Sequence, residues 1–193
     1  ALLGGPDGDT ANTAILWSIR LPMTLTCVFV GGSLSLAGLQ IQTITNNALA
    51  SPYTLGITAS ASFGAAIAIT LGLSVAGYLW IGTALLALVF ALAVSLLILG
   101  RLKGMSTSTL ILSGIIMNFF FQALQQYLQY RASPEIAQII SGWTFGNLQR
   151  SSWMSVVVSG CLLVMGAALL SGWSWRLTVL TTGEERARSL GIN

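Results

Sequence analysis

Apolar residues run along this chain in five long blocks broken by short polar stretches, at about 24–44, 54–73, 78–99, 109–130 and 153–173. An α-helix rises about 1.5 Å per residue, so about 20 residues cross the ~30 Å hydrocarbon core of a bilayer. The pattern predicts an all-α, polytopic membrane helix bundle, with about five transmembrane helices within residues 20–176. A further apolar stretch, 134–148, is too short to span. It starts at Ser133-Pro134-Glu135, carries Ile136, Ile139, Ile140, Trp143 and Phe145, and reads as an amphipathic helix lying on the surface. Residues 1–19 open with Gly4, Gly5, Pro6, Asp7, Gly8 and Asp9, a polar loop outside the membrane. Pro22 suits the first turn of the helix that follows.

The blocks differ in kind. The first carries Gly31, Gly32, Ser33, Ser35, Ala37 and Gly38, and the second is equally rich in Gly, Ala and Ser. Small residues let helices approach closely where lipid supplies no hydrophobic drive, so the second block reads as a helix buried among others. The third is rich in Leu, Ala and Val and opens with Tyr78 and Trp80, which fit an interfacial aromatic belt. The fourth carries Asn118, Gln122, Gln125, Gln126 and Gln129, which fall on one face of a helix. Amides facing lipid are costly, so this face lines water, a substrate path or a subunit contact. A helix that leaves the membrane early would put the glutamines among headgroups, but Asn118 is too deep for that.

Composition narrows the class. The 193 residues are 54% hydrophobic and 7% charged, against about 25% charged in soluble domains. This is an integral membrane protein. The net charge of +3 is small and scattered and points to no nucleic-acid partner. The chain has no histidine, and no acid lies inside any of the five blocks. An intramembrane enzyme needs a nucleophile with a base, paired acids or metal ligands. No catalytic residue, cofactor or metal site is therefore expected. A passive channel is compatible with the amide stripe. Cys27 and Cys161 fall in apolar runs and read as buried thiols rather than a disulfide.

The tail, 177–193, is charged. Thr181 with Glu184, and Thr182 with Glu185, fit a capping box. The acids come first and Arg186 and Arg188 later, as the helix dipole prefers, and Gly191 is placed to end the helix. A short helix over 183–190 follows, as an ordinary capped surface helix or a docking handle. Five spans put Arg101, Lys103, Arg176, Arg186 and Arg188 on one side and Arg20, Arg131 and Arg150 on the other. The positive-inside rule makes the tail cytoplasmic and the 1–19 loop periplasmic.

Several segments together resemble the permease subunit of ABC importers for iron–siderophores, haem and cobalamin, the FecCD/BtuC type. They are 17–22 (WSIRLP), 30–40 (VGGSLSLAGLQ), 46–52 (NNALASP) with Leu55-Gly56, 106–114 (STSTLILSG) and 183–191 (GEERARSLG). They occur in family order and cover almost the whole chain.

The resemblance implies a type II ABC importer fold with ten transmembrane helices per subunit, of which this chain would hold five. It implies a multi-pass protein of the bacterial inner membrane. A second permease subunit, identical or not, would complete the pathway within the lipid. Two cytoplasmic ABC ATPases and a periplasmic or lipid-anchored substrate-binding protein would complete the importer. ATP hydrolysis would reside in the ATPases. Gly183, Glu184, Glu185, Arg186, Ala187, Arg188, Ser189, Leu190 and Gly191 match the coupling helix. Asn47, Leu49, Ser106 and Thr107 match the cytoplasmic gate. The helix of Asn118, Gln122, Gln125, Gln126 and Gln129 matches the one lining the pathway, and Arg20 matches an arginine that docks the binding protein. Met23 stands where a second docking arginine is common, and Ala48 stands where the family usually has proline. The expected cargo is ferric siderophore, with haem and cobalamin as alternatives.

Overall fold

The computed structural model describes residues 10–75, 77–101 and 106–180. The regular elements within them are helical: α1 (Thr10–Ile15), a π turn (Leu16–Arg20), α2 (Leu21–Thr45), α3 (Ile57–Thr70), α4 (Leu79–Arg101), α5 (Thr107–Arg131), α6 (Pro134–Phe145), a 3-10 turn (Leu148–Arg150) and α7 (Trp153–Leu180). Among the described residues, four helical segments are long and apolar enough to cross a membrane: Thr13–Thr45, Leu79–Ile98, Ser108–Arg131 and Trp153–Trp175.

Two boundaries differ from the sequence expectation. Helix begins at Thr10 rather than after the 1–19 loop, and Pro22 sits inside a continuous helical run rather than at its start. Proline lacks an N–H, and its ring crowds the carbonyl four residues back. The π turn just before it absorbs the misfit, with Leu21 N–H donating to Leu16 O, five residues back. The second expected span, 54–73, is a helix of only 14 residues, α3. Pro52 and a left-handed Gly56 (φ 76°) delay its start, and a left-handed Gly72 (φ 63°) lies just past its end.

Residues 51–56 are not open loop. Leu55 N–H donates to Ser51 O and Ile57 N–H to Pro52 O, both at 3.1 Å. Ser51 and Thr54 cap each other's backbone N–H groups, at 2.8 and 3.1 Å. This segment lies against the middle of α5. A Cβ on Gly114 would stand 2.5 Å from Thr54 O and 2.6 Å from the Leu55 Cα. Irregular backbone beside a spanning helix is tolerated where its polar groups are satisfied within the protein, and these bonds satisfy several of them.

The chain divides into two compact units, with a boundary inside α2 at Gln40/Ile41. In the unit of 41–146, α3 is the centre, with α4, α5 and α6 packed on it. Ala59, Ser60, Gly64, Ala65, Ala66, Ala68 and Ile69 are its buried residues. A Cβ on Gly64 would come within 2.6 Å of Leu86 O, so α3 and α4 touch backbone to backbone. Phe63, Phe90 and Phe121 stack around Ala59 and Val94. Ile140 of α6 is fully buried against Ala66 and Ile69. The expectation that 134–148 merely lies on the surface is therefore corrected. One face of α6 is inside the fold, while Ile139, Trp143 and Phe145 stay exposed.

In the other unit, α2 and α7 meet through glycines. A Cβ on Gly32 would be 3.3 Å from the Leu163 side chain, and one on Gly160 would be 3.1 Å from Phe29. Trp17 and Trp153 approach with ring centroids 6.2 Å apart. Most of α7 is exposed. Cys27 and Cys161 are free and exposed, which corrects their reading as buried thiols. Both sit on outward faces of these helices, where an apolar sequence context does not entail burial.

Candidate functional site: an amide-lined cleft

The amide stripe meets α3 and α6 in a cleft of about 410 Å³. From α5 it is lined by Gln122, Gln125, Gln126 and Gln129; Asn118 lies one turn below Gln122. Tyr53, Thr58, Ala59 and Ser62 form the wall at α3, and Ser141, Thr144 and Phe145 the wall at α6. Sequence reasoning missed these last two groups. The i, i+4 pair Thr58/Ser62 and the i, i+3 pair Ser141/Thr144 were the available signal: polar residues stacked on one helix face.

The amides build the cleft as well as line it. Asn118 Nδ2 donates to Tyr53 O at 3.0 Å, and Gln122 Nε2 donates to Asn118 Oδ1. Gln125 Nε2 donates to Thr144 Oγ1 at 2.7 Å, and that hydroxyl donates to Ile140 O at 2.8 Å. Gln129 Nε2 donates to Ala137 O at 3.2 Å and to Ser141 Oγ. One end of the stripe therefore pins the 51–56 segment to α5, and the other pins α6. Asn118 and Gln125 are buried, which for an amide is tolerable only with such partners. Gln126 is exposed. Among the described residues the lining carries no charged side chain, and no cluster of metal-ligating side chains occurs.

The other predicted residues fall elsewhere. Asn47 Oδ1 accepts from Leu49 N–H at 2.8 Å, Gln42 Nε2 donates to Ala48 O at 3.0 Å, and the Leu49 side chain is 80% exposed beside a fully buried Ala50. Ser106 caps α5, its Oγ accepting from Thr109 N–H at 3.3 Å. Thr107 starts α5, and its side chain is outside the described residues. Arg20 is exposed at the end of the π turn. The tail helix, Gly183–Gly191, lies outside the described residues.

A family model described as the FecCD transport family matches residues 1–193. A Helicobacter pylori protein named as a probable iron chelatin transport system permease is 35% identical over 93% of this chain and 53% of its own length. The molybdate import system permease protein MolB of Haemophilus influenzae is 31% identical over 95% of this chain and 54% of its own. A solved structure described as an inward-facing conformation of a metal-chelate type ABC transporter superposes with a TM-score of 0.81 at 31% identity, covering 99% of this chain and 60% of that one. The chain thus spans about half the length of the curated relatives it matches.

Proposed function

The chain belongs to the FecCD transport family, and from that premise we propose that it acts as the transmembrane permease subunit of an ATP-driven importer in the cytoplasmic membrane. The observation that carries this reading is a family match running from the first residue to the last. The cargo proposed is a metal chelate, in the first instance a ferric siderophore. An iron chelatin permease among the relatives and a metal-chelate transporter among the solved structures support that choice. Haem and cobalamin are the alternatives a transport assay would separate.

The chain itself supplies a path and a lever, and partner ATPases hydrolyse ATP. The proposed lever is the segment Gly183–Gly191, seated in an ATPase and moved as a rigid rod on nucleotide binding. The proposed cytoplasmic gate is Asn47, Leu49, Ser106 and Thr107, of which Leu49 offers an exposed apolar side chain. The proposed path runs along Asn118, Gln122, Gln125, Gln126 and Gln129. Arg20 is proposed to set the register of a binding protein rather than its affinity, since an exposed ion pair contributes only about 0–1 kcal/mol.

The test is uptake by the full-length permease reconstituted with its ATPase. Replacing Glu184 and Arg186 together by alanine is expected to abolish cargo-stimulated ATP hydrolysis and uptake while the protein remains in the membrane. Unchanged coupled uptake would overturn the assignment of the lever.

A further inference from the structure

Arg20 ends the π turn and Arg150 ends the 3-10 turn before α7, and both are exposed. They belong to the same compact unit. Among the described residues the single acid is Glu135, at the start of α6 in the other unit. Asp7 and Asp9 lie outside the described residues. Neither arginine therefore has a carboxylate partner within its unit, as far as the described residues extend.

The fold brings the two cations to one place. Trp17 comes three residues before Arg20 and Trp153 three after Arg150, and the two rings meet with centroids 6.2 Å apart. Each arginine thus lies within about a helical turn of one ring of the pair. The backbone is held on both sides. Arg20 O accepts from Thr24 Oγ1 at 2.9 Å. In the 3-10 turn, Asn147 Oδ1 accepts from Gln149 N–H at 2.8 Å, and Ser151 N–H donates to Leu148 O at 3.0 Å.

Stability does not account for this placement. Arg150 stands beside the positive end of the α7 dipole, where an acid is favoured and a cation is not. Both arginines also lie beyond the hydrocarbon. The 25 residues of α2 and the 28 of α7 measure about 38 and 42 Å, more than the ~30 Å core. Trp17 and Trp153 are exposed. Tryptophan and arginine together have the composition of a binding hot spot.

We infer that Arg20 and Arg150 form a two-point cationic dock, beside the Trp17–Trp153 pair, for acidic side chains of the substrate-binding protein. The inference rests on the docking role proposed above for Arg20 and adds Arg150 as its second cation. Met23 leaves the position near Arg20 uncharged, and the turn before α7 supplies the charge from another element. Guanidinium forks pair with carboxylates in a fixed planar geometry. Two like charges at one place also raise the local potential and draw an acidic surface toward it. Their effect is therefore on the rate of encounter more than on the lifetime of the complex.

The experiment uses the full-length permease with its ATPase in immobilised lipid nanodiscs. The probe is the substrate-binding protein that stimulates its ATP hydrolysis. Arg150→Glu is expected to slow association by about tenfold at low salt. The difference should close near 1 M salt, where the Debye length is about 3 Å. Arg20→Glu behaves in the same way, and Arg150→Lys keeps most of the rate. Slowing by Arg20→Glu but not by Arg150→Glu overturns the second cation and leaves docking at Arg20 intact. Slowing by neither overturns docking at this end and the inference with it. Equal loss in Arg150→Lys and Arg150→Glu overturns the role of charge. A loss present in phosphatidylglycerol discs and absent in phosphatidylcholine discs assigns Arg150 to a lipid headgroup and overturns the protein dock.

Discussion

Asn118 Nδ2 and the carbonyl oxygen of Tyr53, 65 residues apart in sequence, lie 3.0 Å from each other near the middle of α5. This bond ties an irregular segment to a helix long enough to cross a membrane. The same carbonyl accepts from Gly56 N–H at 3.1 Å, so the amide is a second bond that fixes the segment to α5. Asn118→Leu is expected to destabilise the protein by about 0.5–1.5 kcal/mol, the net contribution of one hydrogen bond to a carbonyl that keeps its bond from Gly56 N–H. Thermal unfolding in detergent measures it. An unchanged midpoint would show that the segment finds another donor.

Glycine substitutions should sort by what stands opposite each Cα. Gly114→Ala and Gly64→Ala drive a methyl against backbone, at 2.5 Å from Thr54 O and 2.6 Å from Leu86 O. Neither neighbour can swing aside as a side chain could. A loss of about 1–3 kcal/mol or more is expected for each. Gly142→Ala, with nothing within 4 Å, should be neutral or gain up to about 1 kcal/mol from helix propensity. Comparing the three midpoints in one preparation checks the contrast.

Ile140 is the apolar anchor of α6, with 1% exposure. Truncation to alanine removes its contacts with Ala66 and Ile69 and is expected to cost about 2–5 kcal/mol. The loss should be local. Hydrogen exchange should rise across 134–145 while α4 stays protected. Uniform loss of protection would mean that α6 and the α3–α4–α5 core open as one unit.

Ser106 caps α5 and is also proposed for the gate. Ser106→Ala should lower stability by about 1 kcal/mol, and Ser106→Asp should restore it, because aspartate caps equally well. If both variants transport normally, the residue acts only as a cap. A transport defect in Ser106→Asp at restored stability would separate a gating role from capping.

The spans legible in the chain were those that needed only length and hydropathy. α4, α5 and α7 lie where unbroken apolar runs of 20 residues or more demand a helix. α3 was legible as a buried helix from its small residues but not in its length. Its start depends on Pro52 and Gly56 turning beneath Gly114, a contact made by α5. The helix around Pro22 was misjudged because proline usually marks a beginning, and only the π turn beside it makes an interior place possible. The amides of α5 were legible as one face. That Thr58, Ser62, Ser141 and Thr144 would face them was not, since it depends on how α3 and α6 dock.

The sequence alone determined that the chain is a helical membrane protein, which five residues share one face of α5, and which segments resemble an importer. Those properties follow from hydropathy and helical period, which are local and need no partner. Tertiary structure alone decided which group each amide is paired with. An amide carries donors and an acceptor on one side chain, and only the groups that docking sets opposite it, such as the backbone carbonyls at 53 and 137, choose between them.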